Sequence, residues 1–432
     1  MAYSYNIATS KKDNRANICL FSCHTILTIV DLFISTFLVA YIYQYCSSTS
    51  EYIFAVGQFY ITNYAFNFIA IWLISYIVEK TNRVWMYRFS LVLELGVVLV
   101  AIFLGDKIAA LAWLGGLMRG IFESFYYSSY NVLKQEMVSR KSMQNFAVLL
   151  QVISKVVSIV VPIVLGALIS VSTYANIAIY IAIICVIQIA VSFGIKAHRP
   201  EGSKFRLTGY NKSLAHNQKA KHIMRYVYLG CLIYGCTTCI AILVNICVMF
   251  QYGSTLSLGA ITSIISVVTM VVILLVSKFT HAGRRSWLFI LSACLPLIGS
   301  ICFVLLPGKV TLIVFNLCIN IAAVIYGALF DPYRNGNLKE LGLYSEITEH
   351  QALCEMLFCV SRVVTFGIIM ILGLWGNMTA FYVALVVATC AGSAMLIYLL
   401  FYEKKYLQLT KESEEEQQKK SLEQIGETNE NN

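Results

Sequence analysis

The chain has 432 residues, 59% of them hydrophobic and 12% charged, with five prolines. Soluble proteins carry about 25% charged residues, so the composition excludes an ordinary soluble domain and indicates a polytopic helical membrane protein. The net charge of +10 does not indicate nucleic acid, because the basic residues fall in short clusters between apolar runs.

A polar stretch, 1–17, opens the chain, and the apolar run after it is too long for a signal-peptide core. Twelve apolar segments then follow: 18–43, 53–78, 86–104, 108–133, 144–169, 174–195, 226–250, 256–277, 286–306, 310–331, 352–374 and 379–402. They match the length that crosses about 30 Å of hydrocarbon. Continuous apolar runs predict helices rather than barrel strands, which alternate. With twelve crossings, 27 of the 32 Lys and Arg residues fall on one side, and Lys107 and Lys309 alone on the other. This places both termini in the cytoplasm and the chain in the cell membrane. The longest internal connection, 196–225, holds eight of those basic residues and divides the bundle 18–195 from the bundle 226–402. It reads as a solvated basic linker able to touch anionic headgroups. The charged tail 403–432 reads as disordered.

Segment 4 carries Arg119 and Glu123 inside its apolar run, four residues apart and therefore on one helical face. Charge inside a bilayer faces a bundle interior or a water-filled cavity. Asp31 in segment 1, Lys155 in segment 5 and Arg362 in segment 11 are further intramembrane charges. Tyr127 and Asn131 continue the polar face of segment 4. Asn63 and Asn67 share a face of segment 2, as Asn316 and Asn320 do in segment 10; these read as interhelical contacts first and substrate contacts second. A buried carboxylate is pushed toward its neutral form by desolvation and toward its charged form by a nearby cation. Glu123 with Arg119, or Asp31 with Lys155, is thus the expected protonation site, with Glu94 a rival partner for Arg119.

Most of the 14 cysteines lie in apolar runs, among them Cys185, Cys247, Cys294, Cys318 and Cys390. They read as small packing residues. Cys236 and Cys239 form one CxxC with no second pair, which does not predict a metal. His24, His198, His216, His222, His281 and His350 all fall in loops or near segment ends, so no mid-membrane histidine relay is expected. HExxH, P-loop and GxSxG contexts are missing, and neither an enzyme nor a cofactor is predicted.

The halves repeat. Ser75, Arg83 and Trp85 recur as Ser277, Arg285 and Trp287; Leu133-Lys134 as Leu338-Lys339; Ser154-Lys155-Val156-Val157 as Ser361-Arg362-Val363-Val364. Such internal symmetry is expected of transporter folds. With two six-helix halves and a long central loop, the chain resembles the major facilitator superfamily. That family's signature after helix 2, Gly-x-x-x-Asp-Arg/Lys-x-Gly-Arg-Arg, is matched by Ser75-Tyr-Ile-Val-Glu79-Lys80-Thr-Asn82-Arg83, with both glycines replaced. The second copy keeps Gly283-Arg284-Arg285 and lacks the acidic residue. The resemblance implies a cytoplasmic gate at Ser75, Glu79, Lys80, Arg83 and Arg285, and a fold of two pseudo-symmetric six-helix bundles. It also implies a central cavity lined by helices 1, 4, 7 and 10, with helices 2, 5, 8 and 11 at the contact between halves. Ser158-Ile-Val-Val161-Pro162-Ile-Val-Leu165-Gly166 partly matches the Gly-x-x-x-Gly-Pro-x-x-Gly-Gly stretch of drug exporters.

These features predict a monomeric secondary active transporter moving a small solute by alternating access, proton-coupled, with export favoured. The alternatives are an importer of a small anionic or zwitterionic metabolite and a non-transporting membrane sensor or partner.

Overall fold

The computed structural model describes residues 11–137, 140–196, 207–279, 285–336, 341, 343, 346–374, 382–383, 385–394, 397 and 400. The described residues are helical, with no strand among them. Helix α1 runs Lys11–Leu32, passes through a π-helical turn at Phe33–Leu38 and ends as Val39–Gln44. There follow α2 (Thr49–Lys80), α3 (Arg83–Leu104), α4 (Ala112–Met137), α5 (Arg140–Val171) and α6 (Tyr174–Ser192). A short α7 (Leu207–His216) precedes α8 (Gln218–Tyr252), α9 (Thr255–Phe279), α10 (Arg285–Leu305), α11 (Lys309–Gly336) and α12 (Ile347–Leu374). The described part of a last helix, α13, is Leu385–Ala394.

Ten of these helices are long and apolar enough to cross a membrane. The long helix α4 is not among them, because its inward face carries Arg119, Glu123 and a run of hydroxyl residues. Helix starts follow the local chemistry. Ser48 accepts from the Glu51 N–H, Asn82 from Val84, Thr173 from Asn176 and Asn217 from Ala220. Each cap satisfies an orphan donor of a first turn. Gly253, at φ 60°, ends α8 in the left-handed region.

Packing repeats between halves. In the first, α4 packs on α2 and α3; in the second, α11 packs on α9 and α10. The halves meet along α2–α12 and α5–α9. Glycine permits the closest approaches. A Cβ at Gly116 or Gly120 would strike the carbonyl oxygen of Phe59 or Asn63 in α2. Across the halves, a Cβ at Gly259 would strike the carbonyl oxygen of Pro162, and one at Gly166 would meet Thr255. The expected twelve-helix, two-bundle architecture is observed in outline. The tail 403–432 and residues 1–10 lie outside the described residues, as does part of segment 12.

The connection 196–225 is not all linker. Helix α7 lies within it, and α8 begins at Gln218, earlier than expected. Tyr210 of α7 is buried, hydrogen-bonded to the Tyr228 hydroxyl and, at 3.2 Å, to His350 Nδ1. The Ser213 hydroxyl donates to Glu346 at 2.8 Å. Burial pushes the Tyr210 phenol up, so it stays a donor.

Candidate functional site

Arg119 is the centre of the first half. Its Nη2 donates to Asp31 Oδ1 at 2.7 Å and its Nε to Glu123 Oε1 at 2.9 Å. One guanidinium therefore serves two carboxylates from two helices, which its planar fork of donors permits. Asn63 Nδ2 donates to Glu123 Oε1 at 3.4 Å, and Asn67 Nδ2 to Glu123 Oε2 at 3.3 Å. Ser124 in turn donates to Asn67 Oδ1 at 2.8 Å. The two asparagines are interhelical contacts, as expected, and they hold the carboxylate.

The three charges are not equally enclosed. The Glu123 and Arg119 side chains are 8% and 10% exposed, whereas Asp31 is 33% exposed. Asp31 is thus the open end of the triad. It lies two residues before the π-helical turn of α1, an irregularity frequent at functional sites. Tyr127 borders the triad, near Asp31 and Glu123. Asn131 makes no side-chain hydrogen bond among the described residues.

The expected Asp31–Lys155 pair does not form. Arg119 takes Asp31 instead, and the half-buried Lys155 has no ion pair among the described residues. The expected rival, Glu94, does not bond Arg119 either. It is fully buried in α3, and neither carboxyl oxygen has a hydrogen-bond partner among the described residues. Asn316 and Asn320 bond each other within α11, at 2.7 Å, rather than reaching another helix.

In the second half, Arg362 of α12 is treated differently. Its guanidinium lies over the Tyr64 ring of α2, 4.9 Å from the centroid, and 5.7 Å from that of Phe358. Its Nε donates to Thr238 Oγ1 at 3.3 Å. No carboxylate lies within ion-pair distance among the described residues. Beside it, Tyr60 of α2 stacks on Phe366 of α12 at 4.8 Å.

The gate residues come together in part. Arg83 Nη2 donates to Glu79 Oε2 at 2.8 Å, and both are buried. The Thr348 hydroxyl of α12 reaches the same oxygen at 3.4 Å, bridging the halves. Ser75 bonds the Ser128 hydroxyl at 3.0 Å, and Lys80 bonds Tyr76. The second copy contributes less: Arg285 opens α10, but its side chain lies outside the described residues, as do Gly283 and Arg284. On the opposite face, that of the α1–α2 loop, a cavity of about 710 Å³ is lined by Gln44, Ser48, Ser170, Ser254 and Thr255 among others. Phe250 meets Tyr43 and Tyr52 beside it.

Sequence reasoning missed several polar groups. Glu355, seven residues before Arg362 on α12, has Arg334 and then Arg362 as its cationic neighbours. His24 faces the interior, bonding the Tyr126 hydroxyl at 2.7 Å and stacking on Tyr130 at 4.6 Å. His350 is fully buried and bonds the Arg334 carbonyl at 3.0 Å. A seven-residue spacing was the available signal: His24 precedes Asp31, and Glu355 precedes Arg362, by two helical turns. The cysteines are all free, Cys236 and Cys239 included, and no His, Cys, Asp or Glu cluster among the described residues is arranged for a metal ion.

Comparison with known proteins matches residues 20–335 to the family described as Major Facilitator Superfamily. No curated protein matches the chain. Among solved structures, a bacterial homologue of the iron transporter ferroportin, in an inward-facing state, is similar at 12% identity and a TM-score of 0.63, covering 91% of this chain and 100% of that one. A bacterial homologue of the human lysosomal transporter Spinster, inward-facing and unoccupied, has 12% identity and a TM-score of 0.62, with 93% and 99% covered. The nucleoside transporter NupG has 12% identity and a TM-score of 0.64, with 91% and 100% covered. At that identity the likeness is one of fold.

Proposed function

The chain belongs to the major facilitator superfamily, a family of membrane transporters, and we propose that it moves a small solute by alternating access with protons as the coupling ion. The observation that carries this reading is the triad: one cation, Arg119, between two carboxylates, one enclosed and one open. Taken alone, the triad holds one negative charge more than its own cation balances. A proton arriving at Asp31 would remove the excess and loosen the Arg119–Asp31 bond between α1 and α4. Protonation would then favour one arrangement of the helices over another, which is what a coupling ion must do. Glu79, Arg83 and Thr348 fit a latch between the halves on the face carrying the termini, in which only one state keeps the Thr348 contact.

The α5 stretch that resembles exporters has a packing task here. Pro162 and Gly166 make the close approach to α9. The test uses proteoliposomes with an imposed pH gradient, following solute counterflow and internal pH together. Asp31→Asn and Glu123→Gln should each uncouple solute from proton movement. If both leave transport and its pH dependence unchanged, the triad is a static tie and the proposal is wrong.

A further inference from the structure

Each half carries an arginine well inside a span, and among the described residues Arg119 has direct ion pairs while Arg362 has none. Arg362 has spent its Nε on Thr238 and one face on Tyr64. Neither Nη has a hydrogen-bond partner among the described residues. The side chain is half-buried rather than sealed. Its neighbours on other helices are Tyr64 from α2, Cys239 from α8 and, further off, Glu123 from α4. Glu355, on its own helix, has Arg334 as its stronger cationic neighbour. A guanidinium stacked on an aromatic face, held through Nε and with no Nη partner among the described residues, is pre-oriented for a planar anion. A charge placed within a membrane span marks a functional site by default.

We propose that Arg362 is the substrate anchor, and that the substrate is a small organic carboxylate whose two oxygens accept from the Nη groups of Arg362 against Tyr64. This rests on the transport reading above and names its substrate class. The charge balance adds a coupling rule. Arg119, Arg334 and Arg362 against Asp31, Glu123 and Glu355 sum to zero. A bound carboxylate leaves one uncompensated negative charge in a low-dielectric space, and a proton on Asp31 or Glu123 restores neutrality. Carboxylate and proton therefore bind together, one for one. The titratable and charged groups facing those two carboxylates are Arg119 and Tyr127 from α4, Tyr60 and Tyr64 from α2, and Glu355 and Arg362 from α12. Glu94 from α3 approaches Asp31, and His24 shares α1 with it.

The test starts with the purified full-length protein and phenylglyoxal, with arginine modification read residue by residue by mass spectrometry. Arg362 should react well before Arg119. Benzoate, lactate and glutamate are the probes, benzamide the uncharged match and inorganic phosphate a separate arm. A carboxylate at ten times its dissociation constant should slow modification of Arg362 about tenfold, while benzamide leaves it unchanged. The same carboxylate should raise the melting temperature more at pH 6 than at pH 8. That rise should vanish in Arg362→Gln and survive in part in Arg362→Lys. An unreactive Arg362, equal protection by benzoate and benzamide, or protection by phosphate alone overturns the proposal, as does a set of carboxylates none of which protects. Proteoliposomes with the radiolabelled protecting carboxylate separate the two readings. Protection without proton-linked flux, measured against empty liposomes, leaves the anion site standing and removes transport. Proton-linked flux of a cationic or neutral solute, with no carboxylate protection, does the reverse.

Discussion

Each half of the molecule carries an arginine in its interior, and the halves use them in opposite ways. Arg119 is locked between Asp31 and Glu123, with Asn63 and Asn67 holding the second carboxylate. Arg362 rests on Tyr64 and Thr238 with no carboxylate in ion-pair range among the described residues. Yet Lys155 and Arg362 are the residues that correspond in the repeat, within Ser154-Lys155-Val156-Val157 and Ser361-Arg362-Val363-Val364. Neither of these two has an ion pair among the described residues; the halves differ in Arg119, the paired cation on α4. The contrast teaches that pseudo-symmetry of fold here does not extend to the site.

The largest effect should come from Arg119→Ala. It strands two carboxylates in the interior, and breaking a buried pair by removing one partner costs about 3–5 kcal/mol. The melting temperature in detergent should fall steeply. Adding Glu123→Gln to that variant should recover part of the loss, since it removes one uncompensated charge. An Arg119→Ala protein that melts like the parent would mean that the triad is solvated, and the contrast with Arg362 would disappear.

Next comes Gly120→Val. Its Cβ would strike the Asn63 carbonyl oxygen, so α2 and α4 must part. Overpacking costs about 1–3 kcal/mol, occasionally more. Because Asn63 and Asn67 sit on the displaced face, the loss should be accompanied by weaker retention of Glu123. Gly367, which has nothing within 4 Å of its added Cβ, is the matched control in the second half: Gly367→Ala should leave the melting temperature unchanged.

Much of the first site was legible in the sequence. The four-residue spacing of Arg119 and Glu123, and of Asn63 and Asn67, places each pair on one helical face, and the structure turns those faces together. What could not be read was which helix meets which face. Asp31 could have paired with Lys155, and only the packing of α1 against α4 hands it to Arg119. Glu355 and Arg334 were overlooked because they lie near segment ends, where charge is ordinary. Helix α7 was overlooked for a related reason. Eight basic residues in thirty hide a single buried tyrosine, Tyr210, that ties the connection to α8 and α12. Periodicity finds the face of a helix, whereas partner choice depends on contacts far apart in the chain.

Arg362→Gln sharpens the contrast from the other side. With no ion pair to break, stability should fall only by about 1–2 kcal/mol, the worth of a desolvated cation–π contact. A loss as large as that of Arg119→Ala would show Arg362 to be a structural tie after all. Thermal melts of the two variants at the same pH make the comparison directly.

The smallest effect belongs to the latch. Thr348→Val keeps the shape of the side chain and removes its 3.4 Å bond to Glu79 Oε2. The net worth of such a bond is about 0.5 kcal/mol, at the low end for a hydrogen bond because it is long. The melting temperature should barely move. Transport rate should move more, because the contact crosses the halves and, on the proposed latch reading, is lost when this face opens. Arg83 still holds Glu79 within the first half, so the variant weakens closure without releasing the carboxylate. If flux and stability change in the same small proportion, the Thr348 contact is ordinary packing and Glu79–Arg83 orders the α2–α3 turn alone.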